Sequence, residues 1–486
     1  MSNELKDLQS FKVFEFFKEM NTIPRGSGNE KAVSDWLVKF AKDRNLEVIQ
    51  DDSLNVIIKK PGTKGYENSK PIIIQGHMDM VCEKEANKLH DFTKDPIEFI
   101  IDGDNLKADK TTLGGDDGIA VAFGLSILDD NNLKHPPIEL LLTTEEETGM
   151  GGATNLDAKN LEGRTLINID SEEEGKFLVS CSGGTRVKIS VPVNFEKNDS
   201  NLKALKIKID GLQGGHSGME IDKQRGNANK LIGRFLVDLD SVIDFKLVSI
   251  NGGSKNNAIP RDASTIILIN PEENKKVEEK INEWNKILKN EYQGIDDDVN
   301  ISVENINTNI EKYFDRSTAI NVMRMLFLIP NGVETMSKAI KGLVQSSNNL
   351  GIVITTENEV VFESAVRSSI KSLKNHIWNE MIVLTDIVGG SLELEADYPE
   401  WQYNPNSRVR DIFVKTYKEM FEKEPEICAI HAGLECGLLS DKFNREIDQI
   451  SFGPNIYDVH TPKEHVSISS VERMYKFLVK ALEEMK

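Results

Sequence analysis

The stretch Ile72-Ile73-Ile74-Gln75-Gly76-His77-Met78-Asp79 decides how this chain is read. Three β-branched residues in succession predict a buried strand. The run closes on a glycine, then a histidine and an aspartate two positions apart. In extended backbone, residues i and i+2 face the same side, so His77 and Asp79 project together from the end of an interior strand. One member of such a pair can bind a metal while the other orients it or serves a neighbouring step.

Around this stretch, strands and helices alternate. Helical periodicity marks residues 10–45, with Phe11, Phe14 and Phe17 on one face. After the Pro24-Arg25-Gly26-Ser27-Gly28 break, Val33, Trp36, Leu37 and Phe40 mark another. Residues 54–59, 72–75, 138–143 and 165–169 read as strands, and 118–128 as a helix. The pattern predicts an α/β fold with a largely parallel central sheet, in which sites gather at the carboxyl ends of strands. From about residue 186 the texture changes. Residues 187–193, 204–209 and 265–269 alternate as strands, and 227–239 and 273–288 form amphipathic helices. A second series follows, with strands at 323–329, 351–355 and 359–364 and a helix at 333–345. We read 186–394 as an inserted α+β domain of two similar halves, and 1–185 with 395–486 as one discontinuous α/β domain.

A chain of 486 residues exceeds one ordinary core. Its formal net charge of −20 argues against nucleic acid or an anionic membrane as partner, since both need basic patches. The acidic excess serves solubility, and a smaller part can come from carboxylates gathered at a metal site. Cys82, Cys181, Cys428 and Cys436 are scattered, which excludes zinc-finger and thioredoxin spacings and fits a reducing compartment. The first residues carry both charges and no apolar signal core. No apolar run reaches the roughly 20 residues of a membrane span. These features predict a cytoplasmic protein.

Further strand ends carry residues of the same chemistry. Residues 140–149 place Glu145, Glu146 and Glu147 after one strand, and Thr165-Leu166-Ile167-Asn168-Ile169-Asp170 ends another in an aspartate. Residues 450–460 deliver His460 after a strand and a Gly-Pro turn, and Leu113-Gly114-Gly115-Asp116-Asp117-Gly118 opens a helix with a glycine-wrapped acidic pair. Singly, each has a plain structural reading: a glutamate run at a helix start, an aspartate pair in a turn, a structural histidine. Together they differ, because strand ends in one sheet are neighbours in space. Two histidines and several carboxylates suit zinc, manganese or cobalt. The carboxylates outnumber the needs of one tetrahedral ion. A pair of ions about 3.5–4 Å apart, bridged by one aspartate, accommodates them and makes a site for hydrolysis.

Gly76-His77-Met78-Asp79, residues 113–118, Thr144-Glu145-Glu146-Glu147-Thr148-Gly149 and residues 168–175 resemble motifs of the two-zinc aminoacylase/carboxypeptidase-type metallopeptidases. Within them the chain is most similar to the bacterial aminoacyl-histidine (Xaa-His) dipeptidases, through Gly214-Gly215-His216-Ser217-Gly218, Asn257-Ala258-Ile259-Pro260-Arg261 and residues 431–437. The resemblance implies that His77 and Asp170 bind one zinc, Glu147 and His460 the other, and that Asp116 bridges them. Asp79 would orient His77, and Glu146 would be the general base and then the acid. The family's order of base, ligand, any residue, glycine makes Glu145 the spare glutamate. A cis peptide after the bridging aspartate would fall at Asp116–Asp117. The inserted domain resembles the family's lid and dimerisation domain, which implies a homodimer. There His216 would help polarise the scissile carbonyl, in one arrangement across a dimer interface. Asn257 and Arg261 would hold the substrate's backbone and carboxylate, and Gly433 would offer backbone contacts. For His431, a loop-structuring role stands beside a catalytic one. His90, His135, His376 and His465 match no motif and read as surface or packing residues.

The resemblance therefore implies a cytoplasmic, two-zinc dipeptidase cleaving Xaa-His (carnosine-like) and other unblocked dipeptides. An aminotripeptidase, an N-acyl amino acid deacylase or a non-catalytic peptide- or metal-binding protein on the same scaffold are the alternatives.

Overall fold

The structure is a computed structural model that describes residues 5, 6, 8–199, 201–307 and 310–486. Residues 1–4 and 7, part of the N-terminal segment read above for a signal core, lie outside them. The chain divides into two compact units. One comprises Met1–Ser180, Trp401–Ala429 and Leu434–Lys486, and the other Cys181–Glu400 with Ile430–Gly433. The second unit thus begins and ends five or six residues outside the boundaries expected from sequence, and it also takes in residues 430–433.

The first unit is built on an eight-stranded sheet. Its order is Glu47–Gln50, Val56–Lys60, Ile138–Thr143, Ile72–His77, Thr165–Asn168, Asp448–Ser451, Lys176–Cys181 and Glu426–Ile430. The four strands at its centre, 138–143, 72–77, 165–168 and 448–451, run parallel, and antiparallel strands flank them. Every residue of Ile72–His77 is buried, which is why its apolar run is continuous rather than alternating. Register aligns the site: His77 pairs with Thr143, and Asn168 is level with Gln75, so Asp170 follows at the level of His77.

The helix Gly115–Asp129 is buried along nearly its whole length, and its apolar residues join those of the Ile72–His77 strand in one core. Gly76 makes close packing possible: a Cβ there would lie 2.6 Å from both Ala120 Cβ and Asp117 Oδ2. Helices Phe11–Met20 and Ile468–Glu484 add their apolar faces to the same core.

The second unit carries a nine-stranded antiparallel sheet. Strand Lys203–Asp210, helix Ala228–Asp240, strands Phe245–Gly252 and Ala263–Ile269, helix Asn274–Glu291 and strand Asn300–Ile306 form one βαββαβ series. Strand Gly183–Pro192, helix Arg316–Leu328, strands Val344–Thr355 and Glu359–Ser368, helix Lys371–Val388 and strand Ser391–Tyr398 form another. In the sheet the first series takes the order fourth, first, third, second. The other follows as second, third, first, fourth, the two joining where Gly252 pairs with Val353.

Two elements of this second series differ from the sequence reading. Residues 323–329, expected as a strand, lie mostly in helix Arg316–Leu328. Asp315 starts that helix by accepting from Thr318 N at 2.7 Å, and Ala319, Val322, Met323 and Leu326 are buried at helical spacing. A short apolar run does not by itself separate a strand from a buried helix. Residues 333–345, expected as a helix, instead hold strand Gly332–Met336, whose Val333 pairs with Ser347.

Candidate metal centre

Six side chains from five separate segments meet at the carboxyl end of the first unit's sheet. His77 ends its strand, and Asp116 lies in the first turn of helix Gly115–Asp129 with non-helical backbone angles. Glu146 and Glu147 follow strand Ile138–Thr143, Asp170 follows Thr165–Asn168, and His460 lies in a turn after Ile456–Tyr457. The peptide bond Asp116–Asp117 is cis.

His77 Nε2 lies 3.0 Å from Asp116 Oδ1 and 3.6 Å from Asp170 Oδ1. His460 Nε2 lies 3.1 Å from Asp116 Oδ2 and 3.0 Å from Glu147 Oε1. Asp116 thus gives one oxygen to each histidine. Three sets of donors fall within 4.8 Å of one another: His77, Asp116 and Asp170; Asp116, Glu147 and His460; and His77, Glu146 and Glu147. Bonds of about 2.0–2.1 Å in a tetrahedral site put donors about 3.3–3.4 Å apart. The observed spacings bracket that edge, so these residues fit a pair of divalent ions that share Asp116.

Asp79 is fully buried behind His77. Its Oδ1 faces His77 Nδ1 at 3.3 Å, within ion-pair range but not aligned as a hydrogen bond, and accepts from Glu146 N at 3.2 Å. Its Oδ2 accepts from Ser27 Oγ at 2.7 Å and Glu147 N at 3.3 Å. Asp79 therefore holds the backbone of the glutamate pair and sets a carboxylate beside the His77 imidazole. Glu145 turns away with φ of 53°, its amide donating to Glu30 Oε1 at 3.1 Å.

Electrostatics follow from burial among like charges. Burial, with the nearby Asp170, Glu435 and Glu147, pushes Glu146 up to about 9 against the pull of His77. Burial opposes charge on His77, yet Asp116, Asp170 and Asp79 hold its pKa well above the usual value. Asp116 and Glu147 raise His460 to about 11.

The other residues singled out from sequence belong to the second unit. Gly215 and His216 pair with Ile259 and Ala258, and Ser217 N donates to Asn257 O at 2.9 Å. His216 Nδ1 accepts from the amides of Gly218 and Met219 at 3.2 and 3.1 Å. Its neutral ring therefore carries the proton on Nε2. Burial, then Arg367, lowers its pKa. Arg261 is exposed, and a Cβ on Gly433 would meet Tyr398 Cε2 at 2.8 Å.

Sequence reasoning missed four residues. Arg367 is 8% exposed and donates to Tyr398 Oη at 2.9 Å, and its Nε has no partner. Among the described residues no carboxylate pairs with it. A Cβ added at Gly218 would meet His431 O, His216 Cε1 and Arg367 Cζ, so these groups surround one point. Buried Glu435 accepts from Gln75 Nε2 at 2.6 Å and Thr143 Oγ1 at 2.8 Å beneath the centre. Arg25 and Glu464 are buried beside the Asp116 loop. The only sequence signal was that Glu435 lies within residues 431–437 and Glu464 four positions after His460.

A sequence model described as peptidase family M20/M25/M40 matches residues 73–484. The chain belongs to that family. This M20-family hydrolase is 38% identical over 483 residues to the cytosol non-specific dipeptidase of Escherichia coli K12, covering 99% of each chain. Its structure is similar to that of an aminoacylhistidine dipeptidase from Vibrio alginolyticus, with a TM-score of 0.95, 37% identity and coverage of 99% of this chain and 98% of that one. It shares its fold with the aminopeptidase PepT of Bacillus cereus at a TM-score of 0.57 and 15% identity, covering 98% and 99%.

Proposed function

We propose that this M20-family peptidase is a two-zinc dipeptidase that cleaves Xaa-His (carnosine-like) and other unblocked dipeptides, with Glu146 as its proton shuttle. The observation that carries this reading is the Asp116 carboxylate set between His77 and His460, each backed by its own carboxylate, Asp170 or Glu147. Two relatives named as dipeptidases, each covering nearly the whole chain, support the substrate class.

In this mechanism His77, Asp170, Asp116, Glu147 and His460 would hold the ions. When bound, zinc supplies Lewis acidity to the scissile carbonyl and lowers the pKa of the attacking water. Glu146 takes a proton from that water and later gives it to the leaving amine. Its burial suits a carboxylate that must bind a proton during turnover. Asp79 keeps the proton of His77 on Nδ1, so Nε2 presents its lone pair.

Recognition falls to the second unit. His216 donates from Nε2 to the carbonyl oxygen as charge develops there, and Asn257 and Gly433 contact the substrate's backbone. The terminal carboxylate goes to an arginine. Arg261 matches the motif, and Arg367 adds a buried guanidinium without an acidic partner among the described residues. The reading includes a cytoplasmic homodimer formed through the second unit. The E. coli relative is named a cytosol enzyme, and among the described residues no helix is long and apolar enough to cross a membrane.

The test is turnover on a panel holding carnosine, Ala-His, Gly-Gly, a tripeptide and an N-acetyl amino acid. It is run before chelation, after it, and with zinc, manganese or cobalt restored. Fast, chelator-sensitive cleavage of dipeptides alone supports the reading. Preference for the tripeptide or the N-acetyl amino acid would move the chain to another activity of the family.

A further inference from the structure

The helix that carries Asp116 lacks a local cap. Its cap position is Gly114, in left-handed backbone (φ 70°) with no side chain to offer. The first amides of a helix need acceptors, and here a residue about 350 positions away supplies them. Glu464, 2% exposed, accepts at Oε2 from Leu113 N (2.8 Å) and Gly114 N (3.1 Å). At Oε1 it accepts from Gly115 N (2.6 Å) and Asp116 N (3.3 Å).

The carbonyls of the same loop are held separately. Asn21 Nδ2 donates to Leu113 O at 2.9 Å, and Arg25 Nη2 to Gly114 O at 2.6 Å. Arg25 Nη1 reaches the other ligand-bearing segment, donating to Met78 O and Asp79 O at 3.0 Å each. Asn21 Oδ1 anchors the guanidinium at Nε and Nη2. One arginine therefore ties the tail of the His77 strand to the loop before Asp116, while Glu464 fixes that loop through four amides.

We propose that Glu464 and Arg25 are positioning residues that set Asp116 at the spacing from His77 needed to share two ions. This rests on the metal-site reading above. Neither side chain touches a donor atom of the centre. Both act by fixing the backbone from which the donors project. A Glu464→Gln side chain keeps one acceptor oxygen and turns an NH2 toward two of the four amides, which loosens the loop. Arg25→Lys keeps the charge but lacks the fork that spans Gly114, Met78 and Asp79.

The experiment titrates metal-free protein with Co2+, reading the visible d–d bands and the affinity by chelator competition. Wild type, His77→Ala, Glu464→Gln and Arg25→Lys are compared, with kcat and KM measured at saturating metal. Outer partners of metal ligands typically contribute about 10–100-fold in affinity. That loss is expected for Glu464→Gln and Arg25→Lys, with altered d–d bands and KM within twofold of wild type. A cap that served only helix stability would lower the melting temperature and leave the bands unchanged. Folded variants that bind Co2+ within twofold of wild type, with superimposable spectra, overturn the proposal. Should neither variant fold, hydrogen exchange on metal-free wild type decides. Protection of amides 113–116 is expected, and exchange at the rate of an open loop overturns the proposal. If wild type itself binds no Co2+, the metal-site reading fails as well. If only His77→Ala loses the metal, that reading stands and this proposal alone falls.

Discussion

Asparagine at position 79 keeps the size of the side chain but replaces one acceptor oxygen with a donor. Asp79 is fully buried, and both its oxygens are engaged, by Ser27, Glu146 and Glu147 and by the facing His77. The new amide has two placements. With its NH2 on the Oδ1 side, it opposes the Glu146 N–H and pushes the His77 proton to Nε2, removing the lone pair aimed at Asp116 and Asp170. With its NH2 on the Oδ2 side, Ser27 rotates to accept and the Glu147 N–H is left unpaired. An unpaired buried donor costs about 1–3 kcal/mol, less than losing a ligand outright, so the second placement wins. That cost falls on the backbone of Glu147, a ligand in the proposed site, and the charge behind His77 is lost too. At about 1.4 kcal/mol per tenfold, Asp79→Asn should weaken metal binding about 10–100-fold. Chelator competition gives the affinity, and kcat/KM at saturating metal gives the remaining defect, with His77→Ala as reference. Metal loss as complete as in His77→Ala would make Asp79 a ligand. A change under twofold in both quantities would remove its orienting role.

Glu146→Gln should lower kcat by about 10²–10⁴-fold while elemental analysis still finds both metals, and unchanged turnover would reassign the base. Arg367→Leu should raise KM for dipeptides with a free carboxylate by about tenfold or more, since a hydrogen bond to a charged group contributes about 1.5–3 kcal/mol. An unchanged KM, with a large rise in Arg261→Leu, would leave the carboxylate to Arg261. His431 also predicts a pH dependence of stability. Burial, then Arg367, lowers its pKa to about 3. Below about 6.5 the unfolded chain therefore binds a proton that the folded unit refuses. Stability falls as pH drops from about 6.5 toward 3, by about 2 kcal/mol at pH 5. Urea midpoints at pH 7 and pH 5 should separate more in wild type than in His431→Gln.

His77, Glu146, Glu147 and Asp170 were legible because each follows a strand whose apolar run announces it, and parallel register brings such strand ends together, while Asp116 was marked by its glycine-wrapped acidic pair. Ile72–His77 and Ile138–Thr143 needed only their β-branched and leucine content. Where the same cue was ambiguous it misled. Met323-Arg324-Met325-Leu326-Phe327-Leu328 has the apolar content of a strand, and Asp315 makes it a helix. Arg367 left no mark, since a single arginine in Glu359–Ser368 reads as a solvent-facing strand residue. Its burial depends on Tyr398 and on the Gly218 turn, both distant in sequence. Glu464 and Arg25 escaped for a related reason. Their partners are backbone amides and carbonyls, which every residue has and no motif records.

The centre also clarifies the chain's acidic balance. The formal net charge is −20, and exposed charges need no partner. The carboxyls beneath and around His77 are different: Asp79, Asp117 and Glu435 are each 1% exposed or less. Burial pushes Asp117 well above the ordinary carboxylate range and Glu435 up to about 7, and it lifts Glu146 further still. A buried carboxylate without a cation is costly, and the nearby cationic side chains among the described residues are two histidines and Arg25. Arg25 already serves backbone carbonyls. The histidines face Asp116, Asp170 and Glu147 through Nε2, the same atoms a metal would take. Protons on Asp116, Asp170 or Glu147 would occupy the oxygens that face the two histidines. Two divalent cations at the proposed site would neutralise the ligand carboxylates and leave each histidine neutral. The proposed metal centre would thus account for the buried part of the acidic excess, which solubility does not explain.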